Sequence, residues 1–435
     1  MTARDIGRRS LFALAVAAAG SVALPIVARA RSDGPSHLHV TRERLDALVA
    51  KFFPAFNEGE ILSPLSAGRH PARHDVELRR ITTVTHIPET GEPVEVSGLL
   101  ALPVGAGGPL PVVSWQHGTI LSFDQVPSNL MRLASDSYEL RDEVDSIETL
   151  FNVHRFAGDG YAVIAADYLG KGPLRNGRDE AYIVREATVR CCLDVLQAGL
   201  DELERAGRRP ASLFLNGWSQ GALNTQWLQQ ALQQRGIPVA AAAAQSPFND
   251  LPGTFRYWAA PHEYGPATGA YPRPPAWIVP CMILLLGSYR RYYGLGDLFE
   301  TAIKPPYRAF AEEYWSDYRL DAEIAKAMPP AADLLTDGFF DRFTHDTNSA
   351  LLRRLAANST TFQGYVSPIR FYYGLADEAL YPGLVTMALA SGGPNIAGVP
   401  VKGASHRGTF LASLYGNPAV LDGKSTVLDW FNSLR

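Results

Sequence analysis

The chain has 435 residues, of which 46% are hydrophobic and 19% are charged, and its formal charge at pH 7 is −4. These values are those of an ordinary globular protein that is long enough for one large core and an added domain. A mildly acidic chain without a basic run offers no binding surface for nucleic acid or for anionic lipid, so both are excluded as expected partners.

The first thirty residues have the pattern of an export signal. Residues 8–12 resemble the twin-arginine signature, residues 11–27 are apolar, and residues 28–30 form a small-residue cleavage signal. The leader contains four arginines and one aspartate, so cleavage after Ala30 would leave a mature chain with a charge of −7. Gly20 and Pro25 make the apolar segment a poor membrane span, and an uncleaved anchor helix is the alternative. We predict a twin-arginine signal peptide and a periplasmic or secreted protein.

The three cysteines are too few for a disulfide framework. Cys191 and Cys192 are adjacent in a predicted helix and Cys281 lies in an apolar stretch, so we expect all three to be buried apolar side chains. The sequence contains no C-x-x-C, no H-E-x-x-H and no calcium-loop pattern. It therefore predicts neither a metal nor a cofactor.

The N-terminal half of the mature chain changes from a helical extension to alternating strands and helices. Residues 31–75 are predicted to form the extension, with one amphipathic helix at 39–53. Residues 76–103 alternate around a turn at 89–92, which predicts a hairpin. The buried strands that follow are predicted at 111–116, 161–167, 213–215 and 239–244, with helices at 180–206 and 222–232. Strands separated by helices predict an α/β fold with a mostly parallel sheet flanked by helices.

The alternation of predicted strands and helices ends at residue 246. Residues 246–364 hold 20 of the 44 Phe, Tyr and Trp residues and contain no convincing strand, so we predict that residues 246–363 are an inserted, mainly helical cap or lid. Its most apolar run, 276–286, contains Pro280 and is too short to cross a bilayer. A helix that lines a pocket or packs on the core is favoured, with a weak contact to a lipid interface as the alternative. The core comprises residues 76–245 and 364–435.

The central motif is Gly-x-Ser-x-Gly at residues 217–221. It follows an apolar strand and precedes a helical pattern, which is the context of a nucleophile elbow, and Ser219 would lie at the tip of the turn. Side chains at Gly217 and Gly221 would collide with the neighbouring helix and strand. A chance match on an ordinary turn is the alternative.

An activated serine needs a base and a third group that orients the base. Among the histidines after Ser219, only His406 follows a late strand, on a loop of small residues near the C-terminus. Asp377 comes just beyond a predicted strand end and leaves room for one helix and one strand before His406. Adjacent Glu378 is the competing acid, and Asp377 is favoured because it lies in the turn directly after the strand.

The oxyanion hole requires two backbone donors near the serine. The amide of Gln220 is free to donate at the start of the elbow helix. The loop after the strand ending at Gln116 is expected to supply the second donor, which we assign to Thr119 with Gly118 beside it. His117 has two open interpretations, one as a structural support of that loop and one as a direct participant in catalysis.

Together these motifs resemble the α/β-hydrolase superfamily and, within it, the secretory lipases and related bacterial carboxylesterases. The residues that carry the resemblance are Gln116-His117-Gly118-Thr119, Asp167-Tyr168-Leu169-Gly170, Gly217-Trp218-Ser219-Gln220-Gly221, Asp377-Glu378-Ala379-Leu380-Tyr381-Pro382 and Ser405-His406. The resemblance covers roughly residues 76 to 435, and it implies a helical lid at the position of the predicted cap. Two features differ from many secretory lipases, namely Ala222 after the elbow and the lack of the cysteine pairs of fungal members.

The sequence therefore predicts an exported serine hydrolase that cleaves a small-molecule or lipid-like carboxylic ester. Its catalytic residues would be Ser219, Asp377 and His406, and the aromatic cap implies an apolar acyl or aromatic group on the substrate. Two alternatives stay open: a serine peptidase or amidase with the same triad, and a non-catalytic binding protein on a hydrolase fold.

Overall fold

A computed structural model describes residues 35–63, 66–141, 144–145, 147–265, 273–346 and 348–435. The predicted signal peptide, residues 1–30, lies outside the described residues. The strands are β1 His37–Val40, β2 Val76–His86, β3 Pro93–Pro103, β4 Leu110–Gln116, β5 Ala162–Ala166, β6 Pro210–Trp218, β7 Ala241–Gln245, β8 Ile369–Gly374 and β9 Ile396–Val401.

The α-helices of the described residues alternate with these strands and fill the region between β7 and β8. They are α1 Arg42–Phe56, α2 Leu130–Ala134, α3 Glu148–Phe156, α4 Arg185–Arg205, α5 Gln220–Gln234, α6 Leu251–Ala259, α7 Ile278–Tyr292, α8 Leu298–Ala302, α9 Arg308–Asp317, α10 Ala322–Ala327, α11 Ala331–Leu334, α12 Phe339–His345, α13 Ala350–Asn358, α14 Gly383–Ser391, α15 His406–Tyr415 and α16 Val427–Asn432.

The strands form one nine-stranded sheet in the order β1-β2-β3-β5-β4-β6-β7-β8-β9. The pairs from β1 to β5 are antiparallel, whereas every pair from β5 through β4 to β9 is parallel. The predicted mostly parallel sheet is therefore confirmed. Because parallel strands end at the same edge, the loops after β4, β6, β8 and β9 all leave the sheet at its carboxyl edge.

Successive residues of the central strands face opposite sides of the sheet, which separates two hydrophobic clusters. Leu215 packs in one cluster with α4 and α5, and Phe214 packs in the other with α1, α3, α15 and α16. All three cysteines are free and buried, as expected. The sheet is thus covered by helices on both faces.

Two differences from the predicted elements lie in the N-terminal extension and near the C-terminus. Residues 37–40 pair with β2 as a strand, so the predicted helix at 39–53 begins only at Arg42 and runs to Phe56. His406, expected on a loop, is the first residue of α15, because the hydroxyl of Ser405 caps that helix by accepting from the amide of Gly408 at 3.1 Å.

The region between β7 and β8 is helical in its described part, apart from a single bridge between Ile303 and Leu335. Its central helix, α7, is buried along most of its length, so its apolar run packs against the core. Among the described residues, no helix has both the length and the apolarity needed to cross a bilayer. The same residues bring together no group of three or more His, Cys, Asp or Glu side chains suited to a metal ion.

Candidate active site

Ser219 occupies the turn between β6 and α5. Its φ of +58° and ψ of −123° lie in a region that non-glycine residues rarely adopt, so this turn stores backbone strain. The Ser219 amide donates to the carbonyl of Gln245 at 2.9 Å, which ties the strained residue to the end of β7. The side chain is buried, with 6% of its surface exposed. The surrounding sheet therefore holds the hydroxyl in one place.

The two glycines that flank Ser219 lie where the chain packs too tightly for a side chain. A Cβ at Gly217 would overlap the backbone of Gly221 and the hydroxyl of Thr225 in α5. A Cβ at Gly221 would overlap the carbonyl of Gln116 at the end of β4. The sharp turn thus depends on glycine at both positions, because helix and strand approach each other directly.

His406 contacts Asp377 through its ring. The Nδ1 atom of His406 lies 3.0 Å from each carboxylate oxygen of Asp377, and both side chains are almost fully buried. Oδ1 of Asp377 also accepts from the amides of Ala379 and Leu380 at 3.0 and 2.9 Å. These amides fix the carboxylate, so the carboxylate in turn fixes the orientation of the imidazole.

Glu378 contacts a different part of His406. Its Oε2 accepts from the backbone amide of His406 at 3.0 Å, at the start of α15. Burial, reinforced by the negative charge of Asp377, raises the pKa of Glu378 to about 6. Asp377 therefore holds the ring of His406, and Glu378 holds its backbone.

Two tryptophans lie close to the imidazole of His406. The ring centroids of Trp218 and His406 lie 4.9 Å apart, and the Trp218 indole donates to the His406 carbonyl at 3.2 Å. Trp277, the residue before α7, has its ring centroid 6.0 Å from that of His406. The predicted cap region thus contributes an aromatic side chain directly to the site.

The two predicted oxyanion donors come from the loop after β4 and from the start of α5. Gln220 is the first residue of α5, and the first amides of a helix have no acceptor within it. Thr119 is three residues beyond β4 and buried, and its hydroxyl lies 2.9 Å from that of Tyr182. Thr119 thus lines the same cavity as Ser219, and Gln220 directly follows the serine at the start of α5.

Tyrosines of the cap hold the loop that carries Thr119. The hydroxyls of Tyr314 and Tyr318 donate to the carbonyls of Leu121 and Ile120, each at 3.0 Å. The amide of Phe123 donates to the carbonyl of Tyr318 at 2.9 Å. Helix α9 and Tyr318, in the predicted cap, therefore support the loop that carries Thr119.

His117 packs inside the protein rather than at the serine's cavity. Its ring stacks on Tyr168 at 4.2 Å, and its Nδ1 lies 2.8 Å from the carbonyl of Gly118. Burial lowers its pKa well below the usual value, so the ring stays neutral. These contacts favour the structural interpretation of His117. Below it, Glu148 accepts from the amide of Gly118 at 3.0 Å, and burial raises the Glu148 pKa to about 7.

A cavity of about 30 Å³ brings Ser219 and His406 to one space. This volume holds one or a few water molecules. The residues that line it are Thr119, Val144, Trp218, Ser219, Trp277, Glu378, His406 and Arg407. Larger surface grooves, such as the one of about 450 Å³ beside β2 and α4, contain none of the predicted site residues.

Three lining residues were not identified from the sequence: Val144, Trp277 and Arg407. Trp277 is one of the many aromatic residues of the predicted cap, and composition does not indicate which of them reaches the cavity. Arg407 directly follows His406, and its proximity to a candidate base was an available signal. Val144 carries no sequence signal, because its place in the wall results from chain folding alone.

No protein-family model matches the sequence, and no curated protein is significantly similar to it. Solved structures, in contrast, superimpose on most of the chain. A protein of Legionella pneumophila provisionally named a hydrolase aligns with a TM-score of 0.72 at 20% identity, covering 92% of this chain and 97% of its own.

Two further solved structures are similar. The rice cell wall degrading esterase LipA from Xanthomonas oryzae aligns with a TM-score of 0.70 at 20% identity and covers 93% of this chain and 100% of its own. Candida antarctica lipase A aligns with a TM-score of 0.56 at 13% identity and covers 92% and 89%. At these identities the likeness shows the fold, and the predicted resemblance is confirmed at that level: the chain adopts the α/β-hydrolase fold that esterases and lipases also use.

Proposed function

We propose that this protein is an exported serine hydrolase that cleaves carboxylic esters. The observation that carries the proposal is the contact of His406 Nδ1 with both oxygens of Asp377, in a cavity shared with Ser219 on a strained turn. A buried carboxylate that fixes an imidazole beside an activated hydroxyl is the arrangement that nucleophilic acyl transfer needs.

In the proposed reaction, the Ser219 hydroxyl attacks the ester carbonyl and its proton passes to Nε2 of His406. The tetrahedral intermediate collapses when the bond to the alcohol oxygen breaks, and that oxygen takes the proton from His406. Water then attacks the acyl-enzyme with His406 again as the base, which releases the acid and restores Ser219. Asp377 accepts from Nδ1–H and holds the imidazole in place throughout.

The amides of Thr119 and Gln220 are proposed to donate to the oxyanion. The positive end of the α5 dipole lies at the same point and adds to this stabilisation. Loss of one such donor typically lowers kcat by about 10²- to 10³-fold. The bonds from Tyr314 and Tyr318 support the proposal because they keep the Thr119 loop in place before substrate arrives.

The proposed substrate carries an apolar acyl or aromatic group. Trp218 and Trp277 form the aromatic part of the cavity wall, and the neighbouring cap is rich in buried aromatic and aliphatic side chains. Because the cavity holds only a few waters, the proposed reaction requires Trp277 to move away from His406 when the ester enters.

Hydrolysis of p-nitrophenyl esters with acyl chains of two to sixteen carbons tests the proposal. Purified mature protein should release p-nitrophenol, and Ser219→Ala should lower the rate to background. The preferred chain length distinguishes a short-chain esterase from a lipase. Matched anilides, measured in parallel, test the alternative of an amidase or peptidase.

Turnover that persists in Ser219→Ala would exclude Ser219 as the nucleophile. A folded protein with no turnover of any ester but with turnover of anilides would replace the esterase proposal by the amidase alternative. No turnover of either class would leave the binding-protein interpretation. Export is tested separately by fractionation of cells that express the full chain, with paired lysines at Arg8 and Arg9 as the control.

A further inference from the structure

Arg407 directly follows His406 and forms part of the wall of the same cavity. Only 7% of its surface is exposed. Its Nη1 donates to the carbonyl of Ala55 at 3.3 Å, and its guanidinium lies 4.5 Å from the ring centre of Phe56. Within the described part of the chain, its Nε and Nη2 atoms are buried and have no hydrogen-bond partner.

This cation lies in an unfavourable position. Arginine stays charged in proteins, and a buried charge is costly unless it is paired and hydrogen-bonded. Arg407 is also in the first turn of α15, where the helix dipole repels a positive charge. One carbonyl and one aromatic face offset only part of this cost.

No carboxylate of the described residues pairs with Arg407 within 4.0 Å. Glu378 lines the same cavity, but it bonds to the amide of His406. Arg132, another buried arginine, does pair with a carboxylate, since it lies 3.1 Å from Asp145. Among the described residues, the positive charge of Arg407, which lines the same cavity as Ser219, is therefore not paired with a carboxylate.

The geometry of the free atoms indicates what would fit. Nε and Nη2 lie along one edge of the planar guanidinium and form a fork of two donors, whereas Nη1 is already used by Ala55. Such a fork matches the two oxygens of a carboxylate. Arg407 and Ser219 line the same cavity, so a carboxylate bound by this fork would belong to the molecule that carries the ester group under attack.

We propose that Arg407 binds a carboxylate carried by the substrate, so that the enzyme prefers acidic esters. The inference rests on the proposed ester hydrolysis and adds a substrate class to it. The carboxylate belongs either to the acyl part, as in a monoester of a dicarboxylic acid, or to the alcohol part, as in an ester of a hydroxybenzoate.

Two matched substrate pairs test the proposal and separate these sources. On the acyl side, mono-4-nitrophenyl glutarate is compared with its methyl ester. On the alcohol side, 4-acetoxybenzoate is compared with methyl 4-acetoxybenzoate. We expect kcat/KM to favour the acid by tenfold or more in at least one pair. Arg407→Met should abolish this preference, and Arg407→Lys should retain only part of it because a lysine lacks the fork.

Arg155→Met is the matched control. Arg155 is also buried, lies 5.3 Å from the ring centre of Tyr415 and donates to the carbonyl of Leu414, but it does not line the cavity. Its substitution should leave the ratio of acid to methyl ester unchanged. If Arg407→Met does not fold, the ratio of kcat/KM for acid and methyl ester in the wild type and in Arg407→Lys still tests the proposal.

A binding measurement tests the site without catalysis. Glutarate should raise the melting temperature of Ser219→Ala protein, and the shift should be lost when Arg407→Met is added. Equal kcat/KM for acid and methyl ester in both pairs, or a preference that survives in Arg407→Met, would overturn the inference. If neutral esters are still cleaved and the cleavage depends on Ser219, the proposed hydrolase function is retained.

Discussion

Asp377 and Glu378 are neighbours in the chain, but their carboxylates bind different atoms of one histidine. Asp377 contacts Nδ1 of His406 and Glu378 accepts from its backbone amide, each at 3.0 Å. The sequence left these two acids as competitors for one role. The geometry instead favours two roles, one for orienting the ring and one for anchoring the backbone that carries it.

The first prediction separates these roles. In Asp377→Asn the amide keeps the shape of the side chain but removes the charge that holds Nδ1–H, so the imidazole is no longer kept in the productive tautomer. We expect kcat/KM for a p-nitrophenyl ester to fall by about 10³- to 10⁴-fold. A loss of less than tenfold in a protein with an unchanged melting temperature would exclude Asp377 as the orienting acid.

The second prediction concerns the dependence of activity on pH. Glu378 ionises near pH 6, and its negative charge then stabilises the protonated imidazole of His406. Glu378→Gln can still accept from the His406 amide but carries no charge. The pKa of His406 should therefore fall, and the acid limb of kcat/KM should move to lower pH by roughly half a pH unit.

The control for this variant is Glu323→Gln, which removes an exposed acid of the cap that pairs with Lys326. Its pH profile should match that of the wild type. An acid limb that stays in place in Glu378→Gln, or moves to higher pH, would show that the Glu378 charge does not act on His406.

The sheet and the elbow could be predicted because their signals are local. Three contiguous stretches of sequence predict the elbow: the strand before Ser219, the glycines around it and the helix after it. Each has a residue pattern that is typical of its own structure. The order of nucleophile, acid and base then restricted His406 and Asp377 to late strand ends, which the parallel sheet brings to one edge.

The cavity wall could not be predicted in the same way. Trp277 and Arg407 reach the cavity from the cap and from α15, and their meeting depends on how these segments pack in three dimensions. Nor does the sequence indicate that Arg407 is not paired with any carboxylate of the described residues, because pairing depends on which carboxylates come near in the folded chain. The same holds for the buried ion pair of Lys171 and Glu180, which lie 2.7 Å apart after β5.

The third prediction concerns the sterics of the elbow. In Gly221→Ala the new Cβ overlaps the carbonyl of Gln116, and backbone atoms at this crossing have no free space into which to move. We expect a loss of at least 1–3 kcal/mol in the free energy of unfolding, together with a large loss of activity. Chemical denaturation measures the first and ester hydrolysis the second.

Gly364→Ala is the matched control for the elbow variant, because a Cβ at Gly364 meets no atom within 4 Å. Its stability should stay within about 0.5 kcal/mol of the wild type. A Gly221→Ala protein as stable and active as Gly364→Ala would contradict the close packing at the elbow.

The last prediction uses Glu148, the buried acid below the Thr119 loop. Burial raises its pKa from an ordinary 4.5 to about 7, so the folded protein holds this proton more tightly than the unfolded chain does. The contribution of Glu148 to stability is therefore fully present below pH 4.5 and is lost as the pH rises to about 7. By linkage the loss is at most about 3 kcal/mol.

Glu148→Gln keeps an acceptor for the amide of Gly118 but does not titrate, so its free energy of unfolding should fall less between pH 5 and pH 8 than that of the wild type. Urea denaturation at both pH values measures the difference, with exposed Glu204→Gln as the control that should follow the wild type. Equal declines in the wild type and in Glu148→Gln would show that Glu148 is already ionised in the folded protein at pH 5, and that the loop beneath the proposed oxyanion hole is held by a charge rather than by a neutral acid.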